Sequence, residues 1–299
     1  MDFEIRDTVY LPYNLGLSIN DKYISISVAH KSKTLKLLLF ERNVETEVYT
    51  FDFDKKKCLG DIWFLSLYVK NIDKLSNVEY AFEDEHERFC DPYGRTFSGR
   101  DSWGRFEQEG NLRRSSFILS EFNWETDKAP LNIPWSESII YRLHIRGFTK
   151  APSSKVVHSG TFKGAIEKIP YLKALGITAV DIMPCQEFEE LMPLNPAYDN
   201  LNYKISEKTD KTAAVQSRRL NYWGYTDTLH FAPKSSFCMK KNRNPSVEFK
   251  EMVKSFHAAG IEVITEFYFK DGVNYSYIRD VLIYWAYEYG LDGFHLVGN

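Results

Sequence analysis

Acidic and histidine side chains lie near the ends of two predicted strands in the last third of the chain. Glu266 lies near the end of one strand and Asp271 follows that strand, and His295 lies in the next strand. A carboxylate beside an imidazole forms a general acid–base pair at many active sites, and it also occurs as a satisfied polar pair in protein cores. Both interpretations stay open for His295 with Glu266 or Asp271.

Three further carboxylates, Glu187, Glu189 and Glu190, follow an earlier predicted strand. Loops that follow parallel strands build active sites, so these residues are candidates for an acid–base pair, although acidic side chains in such loops are usually solvated. His144 is expected to pack or to form a hydrogen bond. The sequence contains no Ser/His/Asp arrangement, phosphate-binding Gly loop or metal-ligand spacing, so we expect no metal and no cofactor.

Alternating strands and helices predict parallel βα units in the second half of the chain. The strands are predicted at residues 139–145, 179–183 and 262–267, with a fourth beginning near residue 293. The helices are predicted at residues 161–175, 247–259 and 277–289. Pro170 should kink or restart the first helix, and Gly260 and Gly290 should end the other two.

The first part of the chain has a different pattern. Residues 23–82 contain short apolar or alternating segments with no helix-length pattern, which predicts an antiparallel, immunoglobulin-like β-sandwich. Residues 83–137 are rich in charge, Gly and Pro and are predicted to be a connector.

Composition limits the classes of partner. The 299 residues include 38 basic and 41 acidic side chains, a net charge of -3, which gives no single-sign field for nucleic acid or anionic membranes. The four cysteines show no paired spacing, which favours a reducing compartment. The sequence has no leader-like start and no apolar run of about 18 residues. We therefore expect a soluble cytoplasmic protein.

Four βα units are half of an eight-stranded barrel. Such a half leaves strand edges and apolar surface unpaired. The sequence is therefore either a fragment of a longer protein or a half that needs a partner, which includes self-association through the open half barrel.

Short patterns between residues 91 and 297 carry a family resemblance. They occur in the order DPY at 91–93, YRLHIRGFT at 141–149, GITAV at 176–180, NYWGY at 221–225 and FAPKS at 231–235. Together they resemble the entry into the catalytic barrel of glycogen-debranching, isoamylase and pullulanase-like members of glycoside hydrolase family 13. The resemblance implies a glycogen-binding-like β-sandwich at residues 1–120, a linker at 121–138 and a partial (β/α)8 barrel at 139–299.

The same resemblance implies that catalytic positions have changed. Retaining glycosidases need two carboxyl groups about 5–5.5 Å apart, one of them a nucleophile. By resemblance, Val297 stands at the nucleophile position and His295 at the position of an Arg that orients it. Glu266, Lys270 and Asp271 stand for an Asp, an Asn and a sugar-contacting His. The general acid of the family would lie after residue 299.

An aromatic element survives near these positions. Trp223 and Tyr225 match the family's Trp-Gly-Tyr element, whose Tyr stacks on sugar, so they are candidate glucan-binding residues; the alternative is that both rings only pack. The hypothesis is a catalytically inactive homologue that binds α-glucan or an oligosaccharide. Two alternatives stay open: an active α-glucan hydrolase completed by C-terminal sequence, and a non-enzymatic docking protein.

Overall fold

The computed structural model describes most of the chain. The described residues are 3–6, 14–104, 114–119, 122–125, 130–193, 218–239 and 244–298. Within these ranges, no helix is both long enough and apolar enough to cross a membrane.

In the first part of the chain, the described residues form nine antiparallel strands in two sheets. They are β1 (Phe3–Ile5), β2 (Gly16–Asn20), β3 (Tyr23–Ala29), β4 (Lys36–Glu41), β5 (Glu47–Asp52), β6 (Ile62–Val69), β7 (Val78–Glu83), β8 (Arg88–Phe89) and β9 (Ser115–Ser116). One sheet has the order β1-β6-β3-β2 and the other β5-β4-β7-β8, with β9 also paired to β7. Ile24 and Ile26 of β3 share one buried core with Leu37 and Leu39 of β4. The two sheets therefore bury their facing sides in this core, while Leu38, Phe40 and Ala81 form a smaller buried cluster on the other side of the second sheet.

The predicted connector contributes to this sheet. Strands β8 and β9 fall inside residues 83–137, and Ser115 pairs with Tyr80 of β7. Two-residue strands carry no detectable periodicity, which is why the sequence pattern missed them. The immunoglobulin-like classification and the division at residues 120 and 138 stay predictions.

The described residues after β9 contain eight strands and five α-helices. The strands are β10 (Ile140–Leu143), β11 (Ala179–Ile182), β12 (Gln186–Phe188), β13 (Leu191–Pro193), β14 (Arg218–Leu220), β15 (Thr228–Pro233), β16 (Glu262–Tyr268) and β17 (Gly293–Val297). The helices are α1 (Ile145–Thr149), α2 (Phe162–Ile166), α3 (Ile169–Ala174), α4 (Pro245–Ala258) and α5 (Tyr275–Tyr289). Four strands form a parallel sheet in chain order, β10-β11-β16-β17. This sheet and its helices, here called the barrel half, agree with the four predicted βα units.

The helix boundaries follow local signals. The stretch predicted as one helix is divided into α2 and α3, with Pro170 in the first turn of α3, as expected. Asn244 and Asn274 cap α4 and α5, each accepting a hydrogen bond from the backbone N–H two residues later. Gly290 ends α5 in the left-handed conformation (φ 63°), which confirms the predicted stop.

Two small antiparallel pairs were not predicted. Strand β12 pairs with β15, and β13 pairs with β14, between the second parallel strand and α4. Their partners are separated by long sequence intervals, so local pattern gave no sign of them. They bring residues 186–193 against residues 218–233 at one end of the parallel sheet.

Specific side chains join the sandwich and the barrel half. The Tyr93 ring stacks on Phe231 with centroids 4.6 Å apart, and its hydroxyl donates to Asp280 Oδ2 at 3.1 Å. Asp91 is fully buried and accepts hydrogen bonds from the Tyr80 hydroxyl (2.7 Å) and the Tyr93 backbone N–H (2.9 Å). Burial raises the pKa of Asp91 to about 6.

Candidate functional site

Four polar side chains share the inner face of the parallel sheet. Arg142 and Asp181 are direct partners on β10 and β11, and Glu266 and His295 are partners on β16 and β17. Asp181 also pairs with Ile264, two residues before Glu266, so strand alternation directs all four side chains to one face. The opposite face contributes to the hydrophobic core that includes α4 and α5. These four residues are called the inner-face cluster below.

Glu266 is the centre of the inner-face cluster, and its side chain is 0% exposed. Arg142 donates to both carboxylate oxygens, from Nε to Oε1 and from Nη2 to Oε2 at 2.9 Å. The Tyr225 hydroxyl donates to Oε2 at 2.6 Å and accepts from Arg142 Nη2 at 2.7 Å. The hydrogen bond to Glu266 raises the pKa of Arg142, while burial and then Glu266 raise the pKa of Tyr225 to about 12. The carboxylate is thus closely paired on both oxygens.

His295 binds two carboxylates of the cluster. Its Nδ1 lies 2.8 Å from Asp181 Oδ2 and 3.6 Å from Glu266 Oε1. Burial raises the pKa of Asp181, although the hydrogen bond from His295 opposes the shift. Asp271 lies on an exposed turn before α5. Of the two partners predicted for His295, the structure therefore places Glu266 beside it and not Asp271. The pair is not fully buried, because the His295 side chain is 41% exposed.

The separation of Asp181 and Glu266 resembles that of a catalytic pair. Their oxygens lie within 4.8 Å of each other, close to the roughly 5–5.5 Å of retaining glycosidases. Glu266, however, has no solvent-exposed surface and both its oxygens accept from Arg142. A sugar carbon has no path to these oxygens in this arrangement, so we interpret the pair as part of an ion-pair network.

The same residues form a set of potential metal ligands. Asp181, Glu266 and His295 offer ligand atoms that all lie within 4.8 Å of one another. No spacing in the sequence indicated this set, because its members come from three different strands. Arg142 already neutralises Glu266, and a divalent cation would have to displace that guanidinium. The donor set is present, but its charge is better matched by Arg142 than by a metal ion.

The remaining positions identified by resemblance lie at the ends of β16 and β17. Val297 pairs with Tyr268 and lies two residues after His295, on the same face of the strand. Lys270 is 65% exposed and pairs with Asp227 at 3.3 Å. An exposed pair of this kind contributes little to stability.

A glycine turn positions Trp223 and Tyr225. Gly224 has φ +82°, and a Cβ at this position would lie 2.7 Å from the Phe188 ring, so only glycine fits. Asn221 Oδ1 accepts from the Gly224 N–H at 3.1 Å and supports the turn. Trp223 is 52% exposed, whereas the Tyr225 hydroxyl is bound in the inner-face cluster. The turn therefore presents one exposed ring and one anchored ring.

His144 packs against an aromatic ring and forms a hydrogen bond, as predicted. Its Nδ1 accepts from the Gly147 N–H at 3.0 Å and so caps α1, and its ring stacks on Tyr222 at 4.6 Å. Burial lowers the pKa of His144 to about 4. The ring is neutral at pH 7 and is held as a cap.

The glutamates after the second parallel strand are not a solvated loop. Lys234, which is 0% exposed, donates to Glu187 at 2.5 Å and lies 2.7 Å from Glu190. Only Glu189 is substantially exposed (36%), and it pairs with Arg100 at 3.1 Å. The expectation of solvation is wrong for Glu187 and Glu190, because strand pairing places them against a buried ammonium group. Glu187, Glu190 and Lys234 are called the lysine network.

Sequence comparison identifies the relatives of the chain. Isoamylase 1 of Oryza sativa is 35% identical over 188 residues, which cover 60% of this chain and 21% of the relative. Isoamylase 1 of Arabidopsis thaliana is 29% identical over 280 residues, covering 86% and 34%. The glycogen operon protein GlgX homolog of Haemophilus influenzae is 32% identical over 216 residues, covering 65% and 29%. The chain is a homologue of the debranching enzymes of glycoside hydrolase family 13.

Structural comparison agrees with this family. The pullulanase of Paenibacillus barengoltzii aligns with a TM-score of 0.71 and 16% identity, over 96% of this chain and 49% of that chain. The Group B Streptococcus pullulanase SAP aligns with a TM-score of 0.70 and 18% identity, over 95% and 42%. These alignments show the family 13 fold. No protein-family model matches the chain. The chain spans about a third or less of the length of these curated relatives.

Sequence reasoning missed three residues of these sites. Arg142 and Asp181 lie within predicted strands, and Lys234 lies within the family pattern FAPKS at 231–235, but none of the three was recognised as a site residue. Each is a charged residue inside or next to a buried strand, and such a charge needs a partner. That signal was available, but the identity of the partner was not.

Proposed function

We propose that this chain is an α-glucan-binding homologue of family 13 that lacks the nucleophile of a retaining glycosidase. Val297 stands at the nucleophile position by resemblance, and its apolar side chain has no group that attacks an anomeric carbon. The relatives are isoamylases, a GlgX homolog and pullulanases, which supports a role in glycogen or starch metabolism. The cytoplasmic location inferred from the sequence belongs to this proposal.

The observation that carries the proposal is the inner-face cluster. Glu266 is buried and bound by Arg142 and Tyr225, and Asp181 is bound by His295. Both carboxylates of the cluster therefore have a partner that holds them away from substrate. This arrangement supports the interpretation that these residues stabilise the structure and are not a catalytic pair.

Glucan binding is assigned to the Trp223–Tyr225 turn. The exposed Trp223 ring offers an apolar face to a sugar, and Tyr225 is fixed beside it by Arg142 and Glu266. Rigid aromatic side chains lose little conformational entropy on binding. One pullulanase with the same fold is described as a complex with maltohexaose and α-cyclodextrin, so maltohexaose is a suitable probe.

The test of inactivity is an incubation with pullulan, amylopectin and glycogen. We expect no release of reducing ends above a mock preparation, while an active pullulanase in parallel establishes sensitivity. Clear turnover above the mock preparation would overturn the proposal.

A second candidate is an active α-glucan hydrolase in which further sequence supplies catalytic groups. The share of the relatives that the chain spans, 21–34%, favours this candidate. It predicts a Glu at the end of a fifth parallel strand in the sequence that follows residue 299. Hydrolysis by such a longer protein, lost when that Glu is replaced by Gln, would select this candidate.

Self-association is a separate proposal. Strands β10 and β17 are the two edges of the described parallel sheet, and Ile140 (42%) and Leu296 (54%) are exposed there. Paired edges would cover these apolar side chains. Sedimentation that shows a well-folded monomer at high protein concentration would exclude it.

A further inference from the structure

A tight turn of the connector lies between the sandwich and the barrel half. The backbone C=O of Asp91, its first residue, accepts from the Gly94 N–H at 2.9 Å. Pro92 restricts the backbone at the second position, and the Asp91 side chain accepts from the Tyr93 N–H at 2.9 Å, so the sequence DPYG forms the turn by local interactions. Residues 91–95 are called the junction turn.

The junction turn packs closely against the sandwich. Gly16, the first residue of β2, has φ +91°, and a Cβ there would lie 2.8 Å from the Cβ of Tyr93. A Cβ on Gly94 would lie 2.6 Å from the Ser115 Oγ of β9. Contacts this close leave no room for the turn to shift on its own. A change in the turn therefore affects its contacts with the sandwich.

The other side of the junction turn contacts the barrel half. Tyr93 makes the ring contact and the hydrogen bond described above, and the Tyr277 hydroxyl of α5 donates to the Pro92 C=O at 3.4 Å. The guanidinium of the exposed Arg95 lies over the ring of Tyr284, also on α5, at 5.1 Å from its centroid. The junction turn therefore joins the two parts of the chain.

Asp91 is enclosed at this position without a bonded cation. Its side chain is 0% exposed, and within the described ranges its hydrogen-bond donors are the Tyr80 hydroxyl and the Tyr93 N–H, which are both neutral. The titratable groups around the turn are Tyr80 of β7, Tyr277, Arg279 and Asp280 of α5, and Cys90, Tyr93 and Arg95 of the connector. Burial raises the pKa of Asp91 to about 6, although its hydrogen bonds and the charge of Arg95 oppose the shift. The carboxyl therefore changes its charge while it is enclosed.

Arg95 has two competing positions. With Asp91 neutral, its guanidinium is held over the Tyr284 ring by a cation–π contact. An ionised Asp91, in the same turn, attracts the guanidinium, because a buried charge is unfavourable without a cation or water beside it. Either response disturbs the turn, since Arg95 leaves α5 or water enters next to Asp91. Ionisation therefore weakens the contact between the turn and the barrel half.

We propose that the junction turn is a pH-dependent switch that controls how tightly the sandwich is held against the barrel half, with Asp91 as the group that binds the proton. The protonated form keeps the turn packed on both sides, and the ionised form opens it locally. Because the closed form binds the proton more tightly, closure is strongest below about pH 4 and is lost as pH rises through about 6. The switch rests on the junction turn alone and not on the glucan-binding role proposed above.

The experiment is hydrogen exchange of backbone amides in the full chain, followed by NMR at pH 5 and pH 7.5 and corrected for the intrinsic rate at each pH. Protection of the Tyr93 and Gly94 amides should fall about tenfold at the higher pH, as expected for a carboxyl whose pKa is about 6 in the closed form and 3.8 in the open form. These amides should exchange faster than those of β16 at both pH values, because the opening is local. The Arg95 Nε–H resonance should shift over the same range as the guanidinium leaves the Tyr284 ring.

Three variants identify the group responsible. Asp91→Asn keeps the shape of the side chain but cannot ionise, so the pH trend should disappear. Asp271→Asn, at an exposed aspartate before α5, is the matched control and should follow the parent chain. Arg95→Met removes the cation that favours the ionised carboxyl, so the midpoint of the trend should move to higher pH.

Several outcomes would overturn the switch. These are the same trend in Asp91→Asn as in the parent chain, protection that increases with pH, and exchange of the Tyr93 and Gly94 amides only at the rate of β16, which would indicate global unfolding. If Asp91→Asn does not fold, the carboxyl carbon resonance of Asp91 in the parent chain and in Arg95→Met decides the question. A midpoint near pH 6 that rises in Arg95→Met supports the switch, whereas a midpoint near pH 4, or one that does not move, overturns it.

Discussion

Two clusters in the barrel half bury carboxylates, and they differ in the cation that neutralises them. In the lysine network, Glu187 and Glu190 share an ammonium group that is 0% exposed. In the inner-face cluster, Glu266 and Asp181 are bound by Arg142 and His295, whose side chains are 52% and 41% exposed. The lysine network, called the closed cluster below, is shielded from solvent, whereas the inner-face cluster, called the open cluster below, reaches solvent through Arg142 and His295.

The pKa of Glu187 in the lysine network and the pKa of Asp181 in the inner-face cluster are shifted in opposite directions. Burial favours the neutral form of Glu187, but Lys234 and Arg100 outweigh it and lower its pKa. Burial raises the pKa of Asp181, and His295 does not reverse this. The direction of the pKa shift therefore depends on whether a permanent cation faces the buried carboxylate closely enough to outweigh the effect of burial. The closed cluster serves stability, whereas in the open cluster the Arg142 and His295 side chains are in contact with solvent.

Removing the cation from the closed cluster should have the largest effect. Lys234→Met leaves Glu187 and Glu190 buried without their ammonium group, and we expect a loss of about 3–5 kcal/mol in the free energy of unfolding. Lys270→Met, which breaks an exposed pair, should cost at most about 1 kcal/mol. Urea unfolding of both variants measures the difference. Equal losses would show that Lys234 is not buried as described.

Asp91 is a third buried carboxylate that can be compared with these two clusters. Its partners are the Tyr80 hydroxyl and the Tyr93 backbone N–H, which donate hydrogen bonds to it, rather than a cation. Its pKa is raised by burial from 3.8 to about 6. Below pH 4 both folded and unfolded states are protonated; between pH 4 and 6 only the folded state keeps the proton. The stability contributed by the protonated carboxyl is therefore lost as pH rises through this window, by roughly 3 kcal/mol.

Thermal or urea unfolding of Asp91→Asn tests this sign. The difference in stability between the variant and the parent chain should shift in favour of the variant as pH rises from 4 to 7. Asp271→Asn, an exposed aspartate, is the control and should show no such trend. A difference that shifts the other way would mean that Asp91 is ionised and stabilised in the folded state.

Removing the cation from the open cluster should have a smaller effect. Arg142→Met leaves Glu266 with Tyr225 and His295, and water reaches the half-exposed position that the guanidinium occupied. We expect a loss of about 2 kcal/mol, less than for Lys234→Met. Arg279→Met, at an exposed pair, is the control. A loss as large as that of Lys234→Met would contradict the distinction between the closed and open clusters.

The two clusters also differ in how far the sequence predicted them. The strands that carry the inner-face cluster were located from apolar runs, and Pro170 and Gly290 marked helix boundaries correctly because each restricts the backbone locally. Glu266 and His295 were recognised as candidates. Arg142 was overlooked. A charged residue in an apolar strand indicates that it needs a partner, but the sequence does not identify that partner.

The lysine network was beyond sequence reasoning for a different reason. Lys234 and Glu187 are separated by 47 positions and meet only because β12 pairs with β15. Strand β12 has only three residues, which is too few to show periodicity. Three acidic residues in four positions are usually solvated, so the pattern favoured a loop. Long-range pairing of short strands reversed that expectation.

The smallest expected effect is that of substitutions at Tyr225, which distinguish the hydrogen bonds of its hydroxyl from the proposed contact of its ring with sugar. Tyr225→Phe removes the hydrogen bonds to Glu266 and Arg142 but keeps the ring, so we expect a loss of about 1 kcal/mol in stability and maltohexaose affinity within twofold of the parent chain. Tyr225→Ala removes the ring as well and should weaken binding about tenfold. Unfolding and calorimetry on the same samples measure both quantities. One result would contradict a contact between Tyr225 and sugar: Tyr225→Ala is as stable as Tyr225→Phe and binds maltohexaose as tightly as the parent chain. In that case Tyr225 only packs within the open cluster, and Trp223 alone forms the glucan-binding surface of the turn.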